Sequence, residues 1–137
     1  MSRFAHIPRL LLGLVFVVFG ANYFLNFFAM PGPAEGTPAA MFLGAIYGSG
    51  MLTLIKVLEI AGGVLLLSGR FVPLALMWIG PIAIVIFLFH AFLAPEGLPV
   101  GAFVVALLAA TVVTQRAAFA GVFANRSVGR VAVGVNA

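Results

Sequence analysis

Lys56 and Glu59 stand three residues apart inside an otherwise apolar run, Met51 to Ser68. On a helix that spacing puts both side chains on one face, within reach of each other. A charge at bilayer depth costs about 2.5–3.5 kcal/mol on insertion scales, so it faces a bundle interior, finds a partner and marks a working position. Glu59 has the chemistry to move a proton there, and Lys56 has the chemistry to hold an anion. Asn22, Tyr23 and Asn26, late in the first apolar run, and His90, late in the third, are candidates for the same layer. Asn22 and Asn26 share a helix face by their i, i+4 spacing.

Two readings of this polar layer stand side by side. Asparagine, histidine and a Lys–Glu pair serve as glue between helices, each contact worth about 0.6–2 kcal/mol. Alternatively they form a pocket that opens outward, binds the head of a small amphipathic molecule or relays protons. Gly62-Gly63, one turn below Glu59, offers a face for close helix approach. His6 belongs to the opposite side of the membrane from His90, so one chain does not clamp a haem between them, and no metal site is expected. No nucleophile–base set, metal-ligand spacing or phosphate loop is present, which argues against an autonomous enzyme.

The elements that carry these residues must be membrane helices. The chain has 137 residues, 64% hydrophobic and 7% charged, whereas a soluble domain is about 25% charged. The expected fold class is all-α: an integral membrane four-helix transmembrane bundle with both termini cytoplasmic. The net charge is +4, but the basic residues lie mostly at the ends of apolar runs, where they set orientation and meet anionic lipid. No basic stripe with interleaved aromatics suggests nucleic-acid binding. The absence of cysteine excludes disulfides, thiolate metal sites and thiol redox chemistry carried by this chain.

A single transmembrane domain, 1–137, is expected, with spans near 10–30, 51–68, 72–93 and 99–119. Pro8 suits the first helix start, and Pro31-Gly32-Pro33 suits its end. The start of the chain reads as a retained first span, not a cleaved signal peptide. Residues 39–47 are too few to cross a bilayer as a helix and read as an interfacial or re-entrant segment, closed by Gly48-Ser49-Gly50. Pro81 predicts a kink in the third span. Residues 124–137 read as a mobile tail. Arg3, Arg9, Arg70, Arg116, Arg126 and Arg130 fall at the N-terminus, the turn between spans two and three, and the C-terminus. Glu35 and Glu96 fall in the two remaining loops, which hold no Lys or Arg, and this is the positive-inside pattern for cytoplasmic termini.

The segment Leu58-Glu59-Ile60-Ala61-Gly62-Gly63-Val64-Leu65-Leu66-Leu67-Ser68-Gly69-Arg70 resembles the glutamate, Gly-Gly, leucine-run, Gly-Arg signature of the DoxX-like membrane proteins. The opening Arg9-Leu10-Leu11-Leu12-Gly13-Leu14-Val15-Phe16 with Gly20-Ala21-Asn22 is similar to their first span. Phe71-Val72-Pro73-Leu74-Ala75-Leu76, Phe87-Leu88-Phe89-His90 and the loop Ala94-Pro95-Glu96-Gly97-Leu98-Pro99 also look like theirs, so the resemblance covers residues 9–115. It implies a four-helix protein of a bacterial-type inner (plasma) membrane, linked to membrane redox chemistry. The related DoxD-type proteins are subunits of a thiosulfate:quinone oxidoreductase, and some DoxX-like members are associated with oxidative-stress complexes. Many members carry a lysine after the residue matching Asn22, where this chain has Tyr23; Lys56 offers a cation from the neighbouring helix instead.

The function expected on these grounds is an accessory or quinone-interacting subunit of a membrane redox assembly. No cofactor is encoded, and a quinone is the candidate ligand. In that reading His90 and Tyr23 donate hydrogen bonds, Glu59 moves protons, Lys56 holds the anionic reduced form, and electrons come from a partner subunit. The alternatives are a structural subunit or assembly factor, and a small-solute permease acting as an oligomer. Expected partners are the lipid bilayer and other membrane subunits or further copies of the chain.

Overall fold

The computed structural model describes residues 3–122. The expected tail at 124–137, with Arg126 and Arg130, lies outside the described residues. Five α-helices follow in order: α1 (Ile7–Leu25), α2 (Pro38–Gly48), α3 (Met51–Ser68), α4 (Val72–Phe92) and α5 (Leu98–Thr114). Short 3₁₀ turns precede α1 (Arg3–His6), precede α5 (Pro95–Gly97) and follow α5 (Arg116–Phe119). Among the described residues there is no strand. Taken with their leading turns, α1, α3, α4 and α5 are each long and apolar enough to cross a membrane.

Local chemistry explains the boundaries. Proline occupies the first turns of α1, α2, α4 and α5, where its missing N–H removes no helical bond. Thr37 caps α2, its hydroxyl accepting from the Ala40 N–H at 3.3 Å. Gly50, with φ of 80°, separates α2 from α3, so the apolar stretch at 39–47 is a helix of its own and not an extra turn on the second span. Gly69, with φ of 71°, ends α3.

The four long helices form a closed ring in the order α1, α3, α4, α5, and α1 against α3 is the most extensive contact. There the two backbones meet at glycines. A Cβ on Gly63 would lie 2.8 Å from the Gly13 carbonyl oxygen, closer than real Cβ atoms come. Leu12, Phe16, Leu66, Ile79, Ala83 and Val104 fill the centre. Outward residues such as Leu14, Val57, Val64, Met77, Ile84 and Val113 are apolar and exposed. A patch of that extent suits acyl chains and not water. Helix α2 stands beside the ring against α3 and buries only Ala39.

Two expectations change. The first helix ends at Leu25, short of the predicted Met30, because Asn26 takes a left-handed φ of 47°. Asparagine is one of the few non-glycine residues that tolerates that conformation. The fourth span is helical only to Thr114; Arg116–Phe119 is a 3₁₀ turn seated by the buried Phe119 ring, not a continuation to residue 119. Helix α4 is assigned from Val72 to Phe92 with Pro81 inside it, where the proline lacks one backbone donor.

Candidate functional site

Helix α3 buries a stripe made of Glu59, Gly62, Gly63 and Leu66. That spacing is the inward face of a single helix. One turn towards the N-terminus of α3, Lys56 leaves this stripe. Its Nζ donates to both carboxylate oxygens of Glu59, at 3.1 and 2.9 Å. The Glu59 side chain is 3% exposed and that of Lys56 is 20% exposed, so the pair has a sealed carboxylate and an ammonium that reaches a surface.

That surface is a cleft of about 870 Å³ between the end of α1, residues 26–30, α2 and α3. Lys56, Asn22, Tyr23, Asn26 and Tyr47 supply its polar lining. Phe19, Phe24, Phe28, Met30, Leu43 and Leu52 supply apolar walls. The Tyr23 hydroxyl shares a 2.8 Å hydrogen bond with Thr53 Oγ1, and its ring stands edge-on to Tyr47 at 6.3 Å, so α1, α2 and α3 meet at this phenol.

Asn22 shapes the cleft by holding the chain that closes it. Its Oδ1 accepts from the Phe28 N–H at 3.0 Å, and its Nδ2 donates to the Phe28 carbonyl at 3.1 Å. The Phe28 ring then rests on Phe19 edge-on, at 5.5 Å. Asn26 lines the cleft as the exposed C-cap of α1, and its N–H bonds the Asn22 carbonyl at 2.9 Å. Replacing Asn22 by leucine removes both contacts to Phe28 and is expected to cost about 1–3 kcal/mol, the range for stranding partly buried polar groups. Amide exchange should quicken at residues 26–30 and not in α4 or α5; uniform exchange across the chain would show that Asn22 does not hold this segment.

Two candidates do not line the cleft: Glu59, which is sealed behind Lys56, and His90, which lies apart. Its Nδ1 lies 3.2 Å from the Ala94 carbonyl, and its ring stacks edge-on against Phe89 at 5.3 Å. Gly97 and Gly101 leave room for the imidazole; a Cβ on Gly97 would overlap Nδ1. The reason is rotation about α4: the neighbouring Phe89 ring reaches Phe42 of α2 at 5.7 Å, whereas the His90 ring turns to the α5 side. The expected single polar layer is therefore a cleft with Lys56, Asn22, Tyr23 and Asn26 at its wall, Glu59 behind Lys56, and a separate histidine contact between α4 and α5.

Sequence reasoning passed over three contributors. Trp78 Nε1 donates to the Leu58 carbonyl at 3.1 Å and ties α4 to α3 one residue from Glu59. A tryptophan inside an apolar run carries a donor that must find an acceptor, and that was the available signal. Thr53 stands one turn before Lys56 and receives Tyr23, and Arg9 Nη1 donates to the Leu66 carbonyl at the C-terminal turn of α3.

The fold and cleft together define a class: a helical bundle able to span a membrane, with one ion pair in its core and an aromatic-lined cleft at one end. Comparison of the chain with family models, curated proteins and solved structures finds no match. The DoxX-like resemblance accordingly stands on its quoted motifs.

Proposed function

We propose that this chain is a DoxX-like multi-pass protein of a bacterial-type inner membrane, and that its cleft holds the head of a quinone as an accessory subunit of a membrane redox assembly. The observation that carries the reading is Lys56. Its charge is anchored from behind by a sealed carboxylate and presented to an open cleft whose walls are aromatic. A quinone carries electrons and protons together, and its head needs a donor or cation while its tail needs apolar walls. Lys56 supplies the cation, and the Tyr23 and Tyr47 hydroxyls supply donors at the same wall. Glu59 does not line the cleft, and in this reading it exchanges a proton with a bound head through the Lys56 amine that it contacts. His90 takes no part, because its ring lies on the α4–α5 side. Electrons come from a partner subunit.

Orientation follows from charge. Arg3, Arg9, Arg70 and Arg116 gather at one end of the bundle, and Glu35 and Glu96 lie at the other, which supports both termini in the cytoplasm and a cleft open to the outer leaflet.

A structural subunit or assembly factor is the second reading, and a specific observation favours it. Among the described residues every buried side-chain nitrogen and oxygen already has a partner within the chain, as glue requires. Binding of a short-chain quinone separates the two. The single tryptophan, Trp78, does not line the cleft, so binding is read by equilibrium dialysis. Saturable binding that weakens at least tenfold in Tyr47→Ala, whose parent side chain is exposed and touches Tyr23 at the cleft wall, supports the cleft. Equal binding by both proteins, or none by either, returns the polar layer to glue.

A further inference from the structure

We infer that the opposite, basic end of the bundle carries a second binding site, for a phosphate group at the head of a lipid or free in solution. A cavity of about 300 Å³ opens there, lined by His6, Arg9, Gly69, Val72, Thr114 and Gln115. It is formed where the start of α1, the reversal between α3 and α4, and the end of α5 converge. This site is independent of the quinone cleft.

Arg9 is held in place. Its Nη1 donates to the Leu66 carbonyl in the last turn of α3, which also accepts the Gly69 N–H at 3.3 Å. Gly69 leaves room for the guanidinium: a Cβ there would lie 2.8 Å from Nη1. The bond to Leu66 uses one of several guanidinium N–H donors, and the others remain in a planar fork suited to two oxygens of one phosphate. His6 and Gln115, from the start of α1 and the end of α5, add to the lining of the cavity side chains able to donate hydrogen bonds.

The surrounding charge has one sign. Arg3 precedes His6 by one turn, Arg70 follows Gly69 and Arg116 follows Gln115. The acidic residues of the whole sequence are Glu35, Glu59 and Glu96, and none is at this end. The salt bridge between Lys56 and Glu59 is the one found among the described residues, so these arginines have no carboxylate partner within them. A concave site lined by one sign of charge concentrates counter-ions. Phe4, Ile7 and Phe71 are exposed beside it, an arrangement that suits a group whose phosphate is followed by acyl chains.

The test uses the purified full chain in neutral detergent, with thermal unfolding as the readout. Dioleoylphosphatidylglycerol is titrated against dioleoylglycerol, which has the same chains and no phosphate; inorganic phosphate and glycerol 3-phosphate are titrated separately. The expected result is saturable stabilisation by phosphatidylglycerol and none by dioleoylglycerol. Stabilisation by inorganic phosphate at comparable concentration assigns a free-phosphate site, and stabilisation by the lipid alone assigns a headgroup site. Substituting Arg9 itself also removes its bond to the Leu66 carbonyl and loosens the α1–α3 contact, so the informative variant is His6→Ala/Gln115→Ala. It should weaken binding at least tenfold, while Arg70→Gln weakens it about twofold through the general field. Equal stabilisation by both lipids overturns the inference. So does loss in Arg70→Gln with full binding by the His6/Gln115 variant, because diffuse surface charge then explains the effect.

Discussion

Replacing Lys56 alone by alanine is expected to lower unfolding free energy by about 3–5 kcal/mol, the usual cost of removing one partner from a buried ion pair. The cost arises from what is left. Glu59 accepts only from Lys56, at 3.1 and 2.9 Å, and its side chain is nearly sealed from solvent. Without the ammonium the carboxylate must stay charged in an apolar core or take up a proton. The double variant Lys56→Met/Glu59→Gln removes both charges and keeps similar volumes, so it should lie well above the single variant in stability. Isostere replacement of a buried pair is often neutral or stabilising. Unfolding in detergent of the two single variants and the double variant closes the cycle. Additive losses would mean that the two charges do not support each other and that the pair is not the organising feature of the core.

The second large effect concerns the α1–α3 seam. Gly63→Leu should prevent these helices from packing. Even the first carbon of a new side chain would lie 2.7 Å from Val17 Cγ2, 2.8 Å from the Gly13 carbonyl oxygen and 3.0 Å from the Val17 nitrogen. Two of those three atoms are backbone, so relief requires moving α1 bodily. Overpacking typically costs about 1–3 kcal/mol for modest insertions, and a leucine in this seam should exceed that range. Gly44→Ala is the control. No atom lies within 4 Å of a Cβ built at Gly44, and exchanging a mid-helix glycine for alanine gains about 0.5–1 kcal/mol. Equal behaviour of the two variants would show that the seam is looser than its geometry.

Much of the architecture is legible in the sequence because bilayer-length apolar runs and their breakers are strong signals. Gly48-Ser49-Gly50 and Gly69-Arg70 mark real helix boundaries, and the ion-pair spacing at 56 and 59 gives real contact. The misplaced end of α1 is instructive. Residues 26–30 continue an apolar run, and hydropathy has no sensitivity to the backbone. A side-chain–backbone exchange between Asn22 and Phe28 decides the matter there. The position of His90 in the last turn of its helix is readable in the sequence, but its rotation about the bundle is not. The bond to the Ala94 carbonyl and the packing on Gly97 and Gly101 turn its imidazole to the α5 side. The apolar half of the cleft was illegible for a related reason. Phe19, Phe28, Leu43 and Leu52 look like any lipid-facing residues until the 26–30 segment folds back beside α2.

The central claim is that Lys56 presents a charge to a ligand and not only to Glu59. The most direct measurement is mass spectrometry of the lipids and quinones that co-purify with the full chain in mild detergent, compared with Lys56→Met/Glu59→Gln, which is expected to remain folded. The account predicts a quinone enriched above its bulk membrane proportion with the native chain and reduced to that proportion in the double variant. Bulk proportions with both proteins, or equal enrichment with both, would contradict it and leave the ion pair as a device for helix packing.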